Sequence, residues 1–192
     1  DSDGNIAYFH GNFIPVRDTQ FDWNLPLDGS NPATEWRGLH TVEETINLLN
    51  PPNGWIQNTN NTPFSAAGEF SPKQENYPIY MANNPENFRG IHAVKVLAHK
   101  SDFTLDTLIE AAYEPTLTAF EQLVPELILI TATDDNQEQQ FSIQPETLLY
   151  IDLLRNWDLK ASVDSEATSL AIYWAEEMRS SLSDDAAAAG IS

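Results

Sequence analysis

Three asparagines and two threonines fill residues 58–62, within Gly54-Trp55-Ile56-Gln57-Asn58-Thr59-Asn60-Asn61-Thr62-Pro63-Phe64. A rigidly held carboxamide can donate to a carbonyl oxygen, or to the oxyanion that forms when the carbonyl is attacked. The same amides also suit an Asx-rich turn that satisfies its own backbone, and spacing alone favours that plainer reading. Gly54 permits a turn after Asn50-Pro51-Pro52-Asn53, a run that cannot continue a helix. Trp55-Ile56 reads as a short buried strand or strand end.

Other candidate groups carry less. The chain has no cysteine, which excludes disulfides, thiolate chemistry and cysteine-ligated metals. His92 and His99 lie seven apart and share a helix face, but Lys95 beside them argues against a metal site. His10 and His40 have no recognisable partners in the sequence. Asp134-Asp135-Asn136-Gln137-Glu138 lacks the central Gly and terminal Glu of a calcium-binding helix-loop-helix, so it reads as a solvated loop. No cofactor site is identifiable.

The elements that must position these groups fall into two regions. Asp3-Gly4-Asn5 is a tight-turn signal before a strand over Ile6–His10; if Asp1 and Ser2 end an earlier strand, this is half of a hairpin whose partner has been lost. Residues 18–40 are irregular, with Trp23 and Trp36 expected to pack the segment over a core. Thr41-Val42-Glu43-Glu44 fits a capping box and predicts a short helix through Leu49. Residues 65–87 lack periodicity and read as a surface loop, with Tyr77-Pro78-Ile79-Tyr80-Met81 as its apolar island.

From Phe88 onward the pattern turns helical. Helices are expected over Phe88–His99, after a Thr104 cap, from Pro115 with a kink or break at Pro125, from Pro145 to Trp157, and from Ser165-Glu166. The fold class is therefore α+β: a β-hairpin and loop region over 1–87, then a mainly helical region over 88–192. The two are read together as one fragment of a larger domain. Asp1-Ser2-Asp3-Gly4-Asn5 and Ala186–Gly190 read as the interior of a longer chain.

With 192 residues and 41% hydrophobic content, the chain can bury a core. Its formal net charge of −20 argues against nucleic acid or an anionic membrane as partner, because both require clustered Lys and Arg. No apolar run is long enough to span a bilayer.

An ordered series of residues resembles the β-chain interior of the penicillin acylase (penicillin amidase) family of N-terminal-nucleophile hydrolases. It runs Asp1-x-Asp3-Gly4-Asn5-Ile6-Ala7-Tyr8, Gly11, Pro15, Arg17, Trp36-x-Gly38, then Asn50-Pro51-x-x-Gly54-x-Ile56-x-Asn58-x-Asn60-Asn61. It continues with Arg89 at a helix opening, Leu153-Leu154-x-x-Trp157-Asp158 and Asp164-Ser165-x-Ala167. The likeness covers roughly residues 1–175.

The resemblance implies an αββα parent fold and an amide hydrolase acting on an acyl-amine, a β-lactam side chain or an acyl-homoserine lactone. Its Ser, Thr or Cys nucleophile, the first residue of the β chain, would lie upstream of Asp1. The family's oxyanion-hole Asn falls on Asn60, and the Arg that orients it and the nucleophile's amine falls on Arg89. The implied partners are the rest of the precursor (the α chain and the N-terminal part of the β chain) and a small-molecule amide. The implied location is periplasmic or secreted. Some members bind calcium, so the resemblance extends calcium to the parent, although no ligand set for it is legible in these residues. The Asn60-Asn61-Thr62 sequon reads as coincidental in such a hydrolase.

Two rival readings belong to other classes. One is an acidic helical interaction module without catalysis, supported by the charge and by the lack of a nucleophile. The other is a carbohydrate-binding surface built from the Trp and Asn residues. Arg89 also has a plain alternative, capping a helix or pairing with Glu86.

Overall fold

A computed structural model describes residues 1–11, 13–131 and 143–188. The chain is α+β and forms two compact units, Asp1–Tyr113 and Glu114–Ser192. Regular helix begins at Phe88, but the first two helices belong to the first unit, so the compact units part later than the change of pattern.

In the first unit, β1 (Ala7–Phe9) pairs antiparallel with β2 (Asn47–Leu49), with Tyr8 opposite Leu48. β1 thus finds a partner within the chain some 40 residues downstream. His10 N donates to Ile46 O (2.9 Å) and Asn50 N to Ile6 O (2.9 Å), extending the ladder at both ends. Asn50, at φ +47, closes it by accepting from Ile6 N through its side chain (2.9 Å). A second antiparallel bridge joins Pro15 and Leu39.

The helix expected over Thr41–Leu49 does not form; a single turn gives way to β2. Half of the capping box is made, with Thr41 N donating to Glu44 Oε2 (3.0 Å). The Val42 carbonyl, which the next turn would need, is instead taken by Thr45 Oγ1 (2.7 Å) and Asn47 Nδ2 (3.3 Å). Side chains of this kind compete directly with helix propagation. Ile46 is then fully buried, which is worth about 1.5–3 kcal/mol.

Trp55-Ile56 is half-buried and belongs to no strand. Residues 63–81 resolve into four single 3-10 turns, Pro63–Ser65, Gly68–Phe70, Gln74–Asn76 and Ile79–Met81, with Ala66, Ala67, Ser71 and Met81 buried between them. The apolar island has a structural task. Tyr80 Oη accepts from Arg17 N (3.2 Å) and meets His40 Nε2 (2.9 Å), while His40 Nδ1 meets Glu44 Oε2 (3.2 Å). The chain is satisfied when Nδ1 carries the proton toward Glu44 and Nε2 accepts from Tyr80. His10 also has a partner, Tyr8 Oη at 3.1 Å.

Trp36 is 61% exposed rather than packed over a core. It flanks the Arg17 guanidinium at 5.6 Å, with Trp23 at 5.2 Å and Tyr80 at 5.8 Å. The loop is anchored by a cation between rings, an attraction of about 0.5–1 kcal/mol per exposed pair.

The first unit ends with α1 (Phe88–Ala98) and α2 (Leu105–Ala112), the latter opened by the Thr104 cap. In the second unit, α3 starts at Phe120 rather than Pro115 and runs to Thr131. Residues before it are held extended: Leu117 N donates to Leu159 O (2.9 Å) and Ala161 N to Pro115 O (2.9 Å). Pro125 lies inside α3 without ending it. Helices α4 (Pro145–Arg155) and α5 (Glu166–Ala188) complete the unit around Phe120, Val124, Leu154 and Ala171. Trp157 packs edge-on against Phe120 at 5.4 Å.

Candidate active site

The asparagine stretch divides its labour. Asn58 Oδ1 accepts from Asn60 N (2.9 Å), an Asx turn. Asn61, only 4% exposed, accepts from Thr59 N through Oδ1 (3.2 Å) and donates through Nδ2 to Ser65 Oγ (2.8 Å) and Glu86 Oε1 (2.9 Å). While Asn61 Nδ2 also reaches Glu86, both amide oxygens follow the plain reading of a self-satisfying turn.

Asn60 does not. Its side chain bonds no backbone group of the loop. Its φ is +60, the left-handed region that asparagine tolerates better than other side chains do. Oδ1 accepts from Arg89 Nη2 at 3.4 Å, a long hydrogen bond. Among the described residues no hydrogen bond engages Nδ2, so the donor end of this exposed carboxamide is available to a ligand.

Arg89 sits in the first turn of α1, where the helix dipole disfavours a cation. Capping is done by Asn87, whose Oδ1 accepts from Gly90 N (3.0 Å). The Glu86 carboxylate faces Asn61 and the Asn87 N–H (2.9 Å). Neither plain role for Arg89, capping or pairing with Glu86, describes its contact with Asn60 Oδ1.

The loop and helix are further tied by Asn87 Nδ2, which donates to Thr59 O (3.2 Å). Below the loop, Gln57 N donates to Ala66 O (2.8 Å) and buried Pro63 opens a 3-10 turn. Burial acts to raise the Glu86 carboxyl, but hydrogen bonds from Ser65, Asn61 and the Asn87 N–H outweigh it and hold the group below its ordinary value. Asn87 and Gly90 were not singled out from the sequence, and Glu86 was named there only as a partner for Arg89. The available signal was the Asn87-to-Gly90 spacing of an N-cap.

Among the described residues no three His, Cys, Asp or Glu side chains gather to hold a metal. The acidic run 134–138 lies outside the described residues. No described helix is long and apolar enough to cross a membrane.

Comparison with known proteins decides the lineage. The penicillin amidase family model matches residues 1–189. The chain belongs to the penicillin amidase family.

A curated relative, penicillin G acylase of Escherichia coli, is 38% identical over 63 residues, which is 33% of this chain and 7% of that protein. A solved structure, the thermostable penicillin G acylase from Alcaligenes faecalis, superposes with a TM-score of 0.56 at 20% identity, over 85% of this chain and 27% of that one. The second likeness concerns the fold. The chain thus spans a small part of the length of these family members.

Proposed function

We propose that this chain is an internal part of the β chain of an acylase, and that it supplies one half of an oxyanion hole. The observation that carries this reading is the Asn60–Arg89 pair: the amide oxygen is held by a guanidinium while the amide N–H group faces solvent. Family membership supports amide hydrolysis by the whole protein.

In the proposed mechanism, a nucleophile from another part of the precursor attacks the amide carbonyl. Negative charge then develops on the carbonyl oxygen. Asn60 Nδ2 donates to that oxygen, and more strongly to the oxyanion than to the neutral carbonyl, so the transition state gains most. Arg89 polarises the same amide through Oδ1, making Nδ2 a better donor and fixing its rotation. The nucleophile, the second oxyanion donor and most of the acyl pocket are assigned to the remainder of the precursor. The proposed setting is periplasmic or secreted.

Two experiments test the reading. In the full-length protein, Asn60→Ala should lower turnover of a chromogenic amide about 10²–10³-fold. The 192-residue chain alone should show no hydrolysis above its own Asn60→Ala control. Near-normal turnover in the first case, or clear activity in the second, overturns it.

A further inference from the structure

We propose that Glu86 is a positioning residue for the oxyanion donor: its carboxylate staples the loop that carries Asn60 to the start of the helix that carries Arg89. The inference rests on the oxyanion reading of Asn60 and deepens it.

Two hydrogen bonds that flank Asn60 join loop and helix, and a close backbone approach backs one of them. On one side, Asn61 Nδ2 donates to Glu86 Oε1 (2.9 Å). On the other, Asn87 Nδ2 donates to Thr59 O (3.2 Å). Glu86 Oε1 also accepts from Asn87 N (2.9 Å), so one oxygen holds both the loop and the helix cap.

The close approach is steric. A Cβ on buried Gly90 would lie 2.3 Å from both Asn61 Nδ2 and Glu86 Oε1. The helix backbone is therefore pressed against this hydrogen bond, and only glycine leaves room for it. Gly90 has no other need of its freedom, since it lies within α1 and is not among the positive-φ residues.

Asn60 needs such support. It is exposed and sits at φ +60, a conformation kept only where neighbours over-determine it. Its contact with Arg89 is long, so a small shift of loop against helix would break it. A misplacement near 1 Å at a reacting group can lower a rate about 10²-fold. The Glu86 charge also complements the helix N-terminus, where Arg89 by itself is unfavourable.

The test uses the full-length protein with Glu86→Gln and Glu86→Asp, each alone and combined with Asn60→Ala, all checked for native circular dichroism. Glu86→Gln should lower kcat roughly 10–100-fold with KM changed less than about twofold. In the Asn60→Ala background it should add less than about twofold, because both changes remove the same stabilisation. Wild type and Glu86→Asp should lose kcat on the acid side as the carboxylate protonates, and Glu86→Gln should lack that limb. Should Glu86→Gln fail to fold, the kcat, acid limb and non-additivity of Glu86→Asp decide the matter.

Additive losses, a change confined to KM, or an unchanged acid limb in Glu86→Gln overturn the proposal. If Asn60→Ala abolishes turnover while both Glu86 variants keep it, only the positioning role falls. If Asn60→Ala itself keeps turnover, the oxyanion reading falls and the role of Glu86 falls with it.

Discussion

Arg89 Nη2 and Asn60 Oδ1 meet at 3.4 Å across 29 positions of sequence, and this contact turns the Asn60 carboxamide so that its N–H group is left unengaged within the described chain. Two neighbouring asparagines spend their amide oxygens on the loop backbone. Asn60 makes no such bond, and its amide oxygen is met instead by Arg89 on α1. That difference, and not the asparagine content, supports the proposed role of Asn60 as a donor to the substrate.

The guanidinium matters for its shape as well as its charge. Arg89→Lys keeps the charge but loses the planar fork that fixes the amide. It should lower kcat of the full-length protein about tenfold or more, with KM little changed, as measured by steady-state kinetics. Wild-type kcat in this variant would show that Arg89 acts only as a diffuse charge.

Core packing of the second unit rests on Phe120, which is 4% exposed and contacts both Trp157 and Trp174. Phe120→Ala should destabilise this unit by about 3–5 kcal/mol. Urea unfolding of the 192-residue chain, followed by tryptophan fluorescence, reads the change. A loss under about 1 kcal/mol would mean that the cluster repacks.

Acid should weaken the first unit through Glu44. The Thr41 N–H and then His40 hold its carboxyl below the ordinary value of 4.5. A carboxyl lowered by folding stabilises above its unfolded pKa, and that contribution is lost as pH falls through the folded one. The window therefore lies below about pH 4.5. Thermal melts of the wild-type chain should fall through this range more steeply than those of Glu44→Gln. Parallel curves would rule out the contribution.

Gly90→Ala tests the close approach directly. Its Cβ would lie 2.3 Å from Asn61 Nδ2, so loop and helix must separate. Amide hydrogen exchange at Thr59–Asn61 should quicken at least tenfold in the 192-residue chain, while exchange in α3 stays unchanged. Unaltered exchange at the loop would show that the helix start shifts instead.

Much was legible in local sequence where a local signal goes unopposed. Thr104 and Pro145 mark helix starts that the structure contains, because a cap or a preset φ acts within one turn. The ordered asparagines, glycines and tryptophans likewise placed the chain in its family. Local signals misled where a distant strand competed. The capping box at Thr41 is half formed, yet the chain turns into β2 because residues 6–10 offer a ladder and Ile46 a buried position. Pro115 suits a helix start, but pairing with Leu159–Ala161 delays α3 to Phe120.

The sequence by itself determined the residue types at the candidate site and the order in which they occur. Tertiary structure decided which of the three asparagines within residues 58–61 keeps its amide oxygen off the loop backbone and toward Arg89. Spacing within a loop cannot say which carboxamide will find a backbone partner nearby and which will be turned outward. That choice depends on where the start of α1 is docked, and Glu86, Asn87 and Gly90 set that position through contacts 25–29 residues from the loop they hold.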